Sequence, residues 1–304
     1  MKNTPLQKRH LGQEMKKSWQ IYVMLAPFLL IFLTFTVLPV IMTMGISFTT
    51  YNVLEKPVFV GLENYRRLFV GDAVFAKAVK NTIVFALFSG PLGYVLAFAA
   101  SWCINEMGRY VKAVLTFLFY IPTISGMAYT VWKMILGSDM YSYFNSFLLN
   151  LGLIDAPIQW LNTEAYILPI VIVVQLWMSF GTGFLTMVAG FTTIDQQYYE
   201  AGAIDGIRNR FQELRYITIP LMVPHLMTSA LLQITAMFSN TTATNNLVGF
   251  PSTNYAGHLI MTHLNDYANI RVERGYASAI AVVLFVLMIS MHRFILNKLK
   301  KMGV

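Results

Sequence analysis

His258 and His263, with Asp266 three residues further on, are the side chains whose types come nearest to metal chemistry. A helix-borne zinc pair needs histidines four apart, so that both rings share a face, and a Glu after the first to activate water. Here the spacing is five and Leu259 follows His258. Loop histidines bonded to backbone or to a partner are therefore expected, and no metal site. The chain also lacks a Gly-x-x-x-x-Gly-Lys-Ser/Thr loop, so it cannot cradle ATP phosphates by itself. His225, just after Pro224, reads as a capping or interface residue. Cys103 is the single cysteine, so no internal disulfide can form, and it reads as a packed small residue.

The segment from Asp195 to Pro220 offers a different chemistry. It contains Tyr198-Tyr-Glu-Ala-Gly-Ala-Ile-Asp-Gly206 and then Ile217-Thr-Ile-Pro220, and it places Asp195, Glu200, Asp205, Glu213, Arg208, Arg210 and Arg215 between two long apolar runs. A charged helix in that setting is one a soluble partner could grip. A helix over about 197–204 presents Tyr198, Ala201 and Ile204 or Asp205 on adjoining faces. Small residues at 201–203 let a partner's cleft close around the backbone. Gly206 permits a sharp stop at positive φ, and Pro220 helps define the start of the next span. The plainer alternative is a cytosolic helical hairpin whose acids and arginines solvate each other.

These residues must be positioned by membrane helices. The chain is 56% hydrophobic and 12% charged, against about 25% charged in a typical soluble domain. Its charge-free runs are each long enough for the roughly 20 apolar residues that cross a bilayer. They predict an all-α integral membrane fold, one domain over 1–304, with six spans near 21–47, 81–103, 111–135, 165–191, 221–239 and 275–294. Span 1 should keep Pro27 and Pro39 inside it, and Gly181, Gly183 and Gly190 in span 4 should permit close helix approach. Residues 61–69 carry Leu62, Tyr65, Leu68 and Phe69 at helical spacing, which reads as an amphipathic interfacial helix. A second interfacial helix is expected within 140–154, and a polar re-entrant or loop segment at 239–246.

A net charge of +8 could indicate nucleic acid, but its distribution indicates a membrane. Lys2, Lys8, Arg9, Lys16 and Lys17 precede span 1, and Arg293, Lys298, Lys300 and Lys301 follow the last. An even span number puts both termini on one side, which the positive-inside rule makes cytoplasmic. The motif loop, with its three arginines, agrees. The first outside loop disagrees, because it holds Lys56, Arg66, Arg67, Lys77 and Lys80. The first apolar run is too long for a cleaved signal sequence and lacks a small-residue cleavage site, so it is expected to remain as a helix.

The Glu200-Ala-Gly-Ala-Ile-Asp-Gly206 and Ile217-Thr-Ile-Pro220 block resembles the EAA loop of binding-protein-dependent ABC importer permeases, nearest to the carbohydrate group that includes the maltose transporter's membrane subunits. Gly61-Leu-Glu-Asn-Tyr65, Asn81-Thr82, Tyr120-Ile-Pro122 and Gly275-Tyr-Ala-Ser-Ala279 match that family in order and spacing. Gly202 stands where the family has its second alanine, and the stretch from Gly206 to Pro220 is one residue longer. The segment from Tyr255 to Arg274 resembles a subgroup associated with complex oligosaccharides.

The resemblance implies a coupling helix between spans 4 and 5, with Tyr198, Glu200, Ala201, Gly202, Ala203, Asp205, Gly206 and Pro220 as its residues and Glu200 paired to a base on a cytoplasmic ATPase. ATP and Mg would belong to that ATPase dimer, with no cofactor in this chain. A second homologous permease, an extracytoplasmic solute-binding protein and a sugar substrate are the other implied partners, in a bacterial cytoplasmic membrane. Sugars are read by polar groups and aromatic faces, which nominates Gln175, Trp177, Gln233, Thr235, Phe238, Asn240 and Thr241 for the pathway. The alternative for each is a bond to a neighbouring helix. An ion-coupled transporter would carry acids or bases in mid-span, and no span here does. An ABC exporter subunit is a nearer rival, but exporters lack an EAA-type block; an ion-coupled secondary transporter and an ABC permease for a non-sugar solute stand as the alternatives.

Overall fold

The computed structural model describes residues 18–303, with side chains to residue 298. The basic N-terminal segment invoked for orientation lies outside the described residues. In hydrocarbon a backbone must satisfy its own polar groups, and a helix does so within one segment. The charge-free runs accordingly form helices.

In chain order these are α1 (Trp19–Ile46), the short α2 (Glu63–Arg66), α3 (Ala73–Asn105), α4 (Arg109–Ile124), α5 (Ala128–Ile135), α6 (Tyr143–Asn150), α7 (Glu164–Trp177), α8 (Thr182–Thr192), α9 (Gln196–Ile204), α10 (Arg210–Ser239), α11 (Thr242–Val248), α12 (Ile260–Asn265) and α13 (Arg274–Gly303). One exception to the all-α expectation is a two-stranded antiparallel ribbon, β1 (Thr49–Thr50) with β2 (Val58–Phe59), in which Thr49 faces Phe59. Five segments are long and apolar enough to cross a membrane: α1, α3, α7 with α8, α10 and α13. The expected third span is instead two helices bent by 81° at Ser125–Met127, and it makes a sixth span only if the pair is counted as one. The expected fourth span is interrupted between Trp177 and Thr182.

Two boundaries move for identifiable reasons. α3 starts at Ala73 rather than Asn81 because Asp72 caps it, accepting from Phe75 N–H at 2.9 Å. α10 starts at Arg210 rather than Leu221 because the Asn209 side chain accepts from Gln212 N–H at 2.8 Å. Pro220 therefore lies inside a continuous helix and does not start it. A π-turn at Leu214–Thr218 leads into Pro220, and another at Leu33–Val37 leads into Pro39. Proline has no N–H and its ring collides with the carbonyl four residues back. One wider turn ahead of it reroutes the ladder and lets the helix continue.

α8 packs chiefly on α10, and both lean on α3. Gly183 and Gly190 set the closeness of that approach. A Cβ at Gly183 would lie 2.9 Å from Gln233 Cγ, and one at Gly190 would lie 2.9 Å from His225 Cβ. Gly181 instead faces Thr123. Among the described residues α1 buries none of its side chains, and its last turns pack chiefly on α13.

Within 61–69, Leu68 is buried and Leu62 and Phe69 are exposed. The buried anchor is Asn64, whose Nδ2 donates to the carbonyls of Ser47 and Thr49 at 2.9 and 2.8 Å. Asn145 anchors α6 in the same way. Its amide donates to Gly137, Asp139 and Ile158 carbonyls, and its Oδ1 accepts from Ile158 N–H and Trp160 Nε1. Asn145→Ala should cost about 3 kcal/mol locally, read as faster amide exchange at Ile158 and Trp160.

Candidate functional site

Two regions carry the candidate residues. At one end of the bundle, α9 follows α8 after a break at Asp195, whose side chain accepts from Gln197 N–H at 3.0 Å. The helix ends at Gly206, where φ is +94°, a conformation that glycine adopts without a Cβ clash. α9 is held to the first turns of α10 by Tyr199 Oη against Thr218 Oγ1 at 3.0 Å and by the contact of Gly202 with Ile217. A Cβ at Gly202 would lie 2.5 Å from Ile217 Cδ1. Gly202 thus faces its own chain and not the outside, which corrects the expectation that 201–203 form one gripped surface. Ala201 and Ala203 are exposed, as are Tyr198, Glu200, Asp205 and, at 87%, Ile204.

The charges here are divided. Arg210 is bound to Glu213 at 2.7 Å and to Glu106 of α3 at 3.1 Å, which ties the start of α10 to the end of α3. Glu200 and Asp205 have no salt-bridge partner among the described residues. The mutual-solvation reading accounts for Arg210 but not for these two acids.

Within the bundle, the breaks in the chain converge. The bend between α4 and α5, the gap between α7 and α8, and the end of α10 enclose a cavity of about 410 Å³. Helix ends are where backbone polar groups are free to face a ligand, and membrane proteins tolerate such breaks only in protein or along a path. Gln175, Gln233 and Asn240 all line it. Asn240 Nδ2 donates to Gln175 Oε1 at 2.6 Å, and Asn240 Oδ1 accepts from Ala243 N–H at the start of α11. Neither amide atom of Gln233 has a partner among the described residues.

The other nominated residues are elsewhere. Trp177 packs edge-on to Trp132. Thr235 Oγ1 donates back to Leu231 O. Phe238 belongs to the core around Tyr276 and Ile280. The Thr241 carbonyl accepts from Thr244 Oγ1. The sequence reading missed Thr123, Ser125, Tyr129, Ser179 and Thr182, which share the polar lining with Ser239 and Thr242. Pro122 with Gly126, and the run Ser179-Phe-Gly-Thr-Gly183, were the signals of interruption that could have found them.

Comparison with known proteins decides the family. The binding-protein-dependent transport system inner membrane component family matches residues 89–300. This chain belongs to that family. The permease is 31% identical to a probable ABC transporter permease, YesP, of Bacillus subtilis, over 90% of each chain. It is 30% identical to the trehalose/maltose transport system permease MalF of Thermococcus litoralis, over 88% of this chain and 90% of that one. Its fold matches the crystal structure of a bacterial alginate ABC transporter in complex with an alginate pentasaccharide-bound periplasmic protein, with a TM-score of 0.76 at 23% identity over 97% of this chain and 100% of that one. It is a multi-pass inner membrane protein.

In this permease the two histidines meet through their ring nitrogens. His258 Nε2 and His263 Nδ1 are 3.0 Å apart, and His263 Nε2 lies 3.0 Å from Asp72 Oδ2. A carboxylate only accepts, so His263 donates to Asp72 from Nε2, and its Nδ1 is bonded to His258 Nε2. Tyr276 Oη donates to the same Asp72 oxygen at 2.7 Å. Asp266, the third ligand considered, is instead bound to Arg271 Nε at 2.9 Å. His225 packs its Cβ on Gly190 and places Nε2 3.4 Å from Thr193 Oγ1, as an interface residue would.

Proposed function

We propose that this chain is the membrane-spanning permease subunit of an ATP-driven ABC importer, and that it translocates an oligosaccharide or sugar derivative handed over by an extracytoplasmic binding protein. The observation that carries this is α9. It is a short helix at one end of the bundle with exposed Tyr198, Ala201, Ala203 and Ile204 and two acids, Glu200 and Asp205, that have no salt-bridge partner among the described residues. Such a surface is left for a soluble partner, and a cytoplasmic ATPase is the partner an importer of this family requires. ATP and Mg would sit in a dimer of that ATPase, and a second, homologous permease would complete the membrane core. The sugar reading draws on the trehalose/maltose and arabinooligosaccharide relatives and on the uncharged amide and hydroxyl lining of the cavity.

Both termini would be cytoplasmic. The loop cations that opposed this orientation are in part neutralised: Lys77 is 2.6 Å from Glu164, and Arg67 is bound to Glu273. Charges paired on their own side have a reduced claim on topology.

Affinity purification of the chain from its native membrane should bring down a second permease and a Walker-motif ATPase. Gly206→Asp should keep both partners and lower ATP-driven uptake at least tenfold. At +94° an aspartate strains the turn by about 1–3 kcal/mol and tilts the end of α9. Unchanged uptake by that variant, with the ATPase still bound, would remove α9 from the coupling role. Recovery of the chain alone would remove the importer reading.

A further inference from the structure

We infer that Arg210 and Glu106 form a clasp through which a movement of α9 is delivered to α3, which makes Arg210 a positioning residue for transport; this rests on the permease reading above. Both covalent links of α9 are bent. On one side the chain leaves helix at 193–195, and on the other it turns at Gly206. Beyond that turn, the π-turn at Leu214–Thr218 and Pro220 separate the first turn of α10 from its length inside the bundle. Such turns and prolines are where helices bend. Neither α8 nor α10 is therefore a stiff rod leading away from α9.

α9 and the first turn of α10 are joined as one unit. Ile207 N–H donates to Gly202 O at 2.9 Å, and Arg208 N–H donates to Gln212 Oε1 at 2.9 Å. This unit reaches α3 at two places. Arg210 directs Nη1 to Glu213 on its own helix and Nη2 to Glu106, the residue that ends α3. Phe211 stands edge-on to Trp102, one turn earlier in α3, with ring centroids 5.5 Å apart. Around these contacts lies a cavity of about 210 Å³, lined by Trp102, Glu106, Tyr199, Arg210 and Thr218. The junction is thus loosely packed, and the two side-chain contacts bridge it. A planar guanidinium shared by two carboxylates fixes direction as well as distance.

α3 is the element able to use such a joint. It runs for 33 residues with Pro91 inside it, about 50 Å at 1.5 Å per residue. It packs on α7, α8 and α10, the helices that bound the larger cavity. Its far end is bonded to the segment that leads into α12. Asn81 Nδ2 donates to the carbonyls of Tyr255, Ala256 and His258, each at 3.1 Å. Thr82 Oγ1 accepts from Ile260 N–H at 2.9 Å. A shift delivered at Glu106 therefore passes the cavity helices and reaches the opposite face of the bundle.

The test uses the whole transporter, with its mate permease and ATPase, in proteoliposomes. Cys103 is exposed and is first replaced by serine. Spin labels are then placed in pairs at Arg208→Cys beside α9, at Val95→Cys in α3 and at Val286→Cys in α13, all exposed positions. Distances are measured by pulsed electron paramagnetic resonance without nucleotide and after trapping with ATP and vanadate. The 208–286 distance reports whether ATP moves the α9 unit, and the 208–95 distance whether α3 moves with it. With the clasp intact the 208–95 distance should hold to about 1 Å while the other changes, and in Arg210→Glu or Glu106→Arg it should change by about 2 Å or more. The double charge swap puts the guanidinium on α3 facing two carboxylates on α10, and should restore the wild-type response. Thermal unfolding should match in all variants, because an exposed ion pair adds little stability. A 208–95 distance that changes equally with and without the clasp, or a double swap that fails to restore it while the ATPase stays bound, overturns the inference and leaves the role of α9 standing. A 208–286 distance that never changes with the ATPase bound removes α9 from coupling, and the inference with it.

Discussion

Asp72→Ala should lower the stability of the permease by about 3–5 kcal/mol, the range measured when one partner of a buried ionic network is removed. Asp72 accepts three bonds: from Phe75 N–H, from His263 Nε2 and from Tyr276 Oη. Loss of the carboxylate uncaps α3 and leaves a buried histidine and tyrosine without an acceptor. It also parts three segments that are distant in sequence, since His263 lies in α12 and Tyr276 in α13. Asp72→Asn should cost less, because the amide oxygen still caps α3. Thermal unfolding in mild detergent checks both variants. A shift in Asp72→Ala no larger than in an exposed-site control would show that the network does not hold the loop.

The same cluster gives the fold an acid limit. Burial, then the neighbouring His263, lowers His258 to about 4 from its ordinary 6.5. Its folded value is below its unfolded one, so the unfolded chain binds the extra proton between those values. The stabilisation is full above pH 6.5 and is lost as pH falls through 4, on the order of 3 kcal/mol in all. Burial alone would raise Asp72, but hydrogen bonds from His263, Phe75 and Tyr276 outweigh it and hold the carboxyl well below the usual carboxylate range. Its contribution is present above the ordinary carboxylate value and disappears only at more acid pH. Midpoints of unfolding measured from pH 7 to pH 4 should therefore fall in wild type. They should fall less steeply in His258→Phe, which keeps the ring packing against Phe250 and Tyr255 and removes the titration.

Gly275→Ala is the second substitution with a large expected effect. The backbone of Gly275 is laid against the ribbon that follows α1, with its N–H donating to Tyr51 O at 3.0 Å. A Cβ there would fall inside the van der Waals envelope of the Thr49 carbonyl and 3.0 Å from Tyr51 N. Both are backbone atoms and cannot swing aside as a side chain does. The chain must separate at this point, breaking the Gly275–Tyr51 bond and loosening the Asn64 amide from Ser47 and Thr49. A loss of about 3 kcal/mol or more is expected from overpacking with a lost buried hydrogen bond. Because α1 buries no side chain of its own, this junction adds a backbone tie to the packing of its last turns on α13. Protease access to 47–60 in membrane vesicles should rise in the variant, and unchanged access would show that the ribbon can move away at little cost.

The helices were legible because their cause is local. A run without Asp, Glu, Lys or Arg is driven to helix in hydrocarbon, and each such run is helical over most of its length. The α9 segment was equally legible: Asp195 can cap, Gly206 can stop, and the helix between them runs over nine residues, Gln196–Ile204. The breaks were harder to see. Pro27, Pro39, Pro91 and Pro169 all sit within helices, whereas the bend near Pro122 is 81°. A proline in the sequence states that a backbone bond is lost, but not whether a π-turn absorbs the loss or the chain turns there.

Partners in space were the least legible. Sequence spacing offered His258, His263 and Asp266 as a set, and folding replaced Asp266 with Asp72, nearly two hundred residues away. It also turned Gly202 inward onto Ile217 and sent Phe238 and Trp177 into packing. Gln175, Gln233 and Asn240 became neighbours only because three interrupted helices end at one place. The sequence by itself determined which segments are helices, where a short charged helix is capped and stopped, and which family the chain resembles, since each follows from hydropathy, capping and motif order along a short stretch. Tertiary structure alone decided which polar groups share a cavity and which bury one another, because those pairings depend on where helices break and how closely their backbones approach.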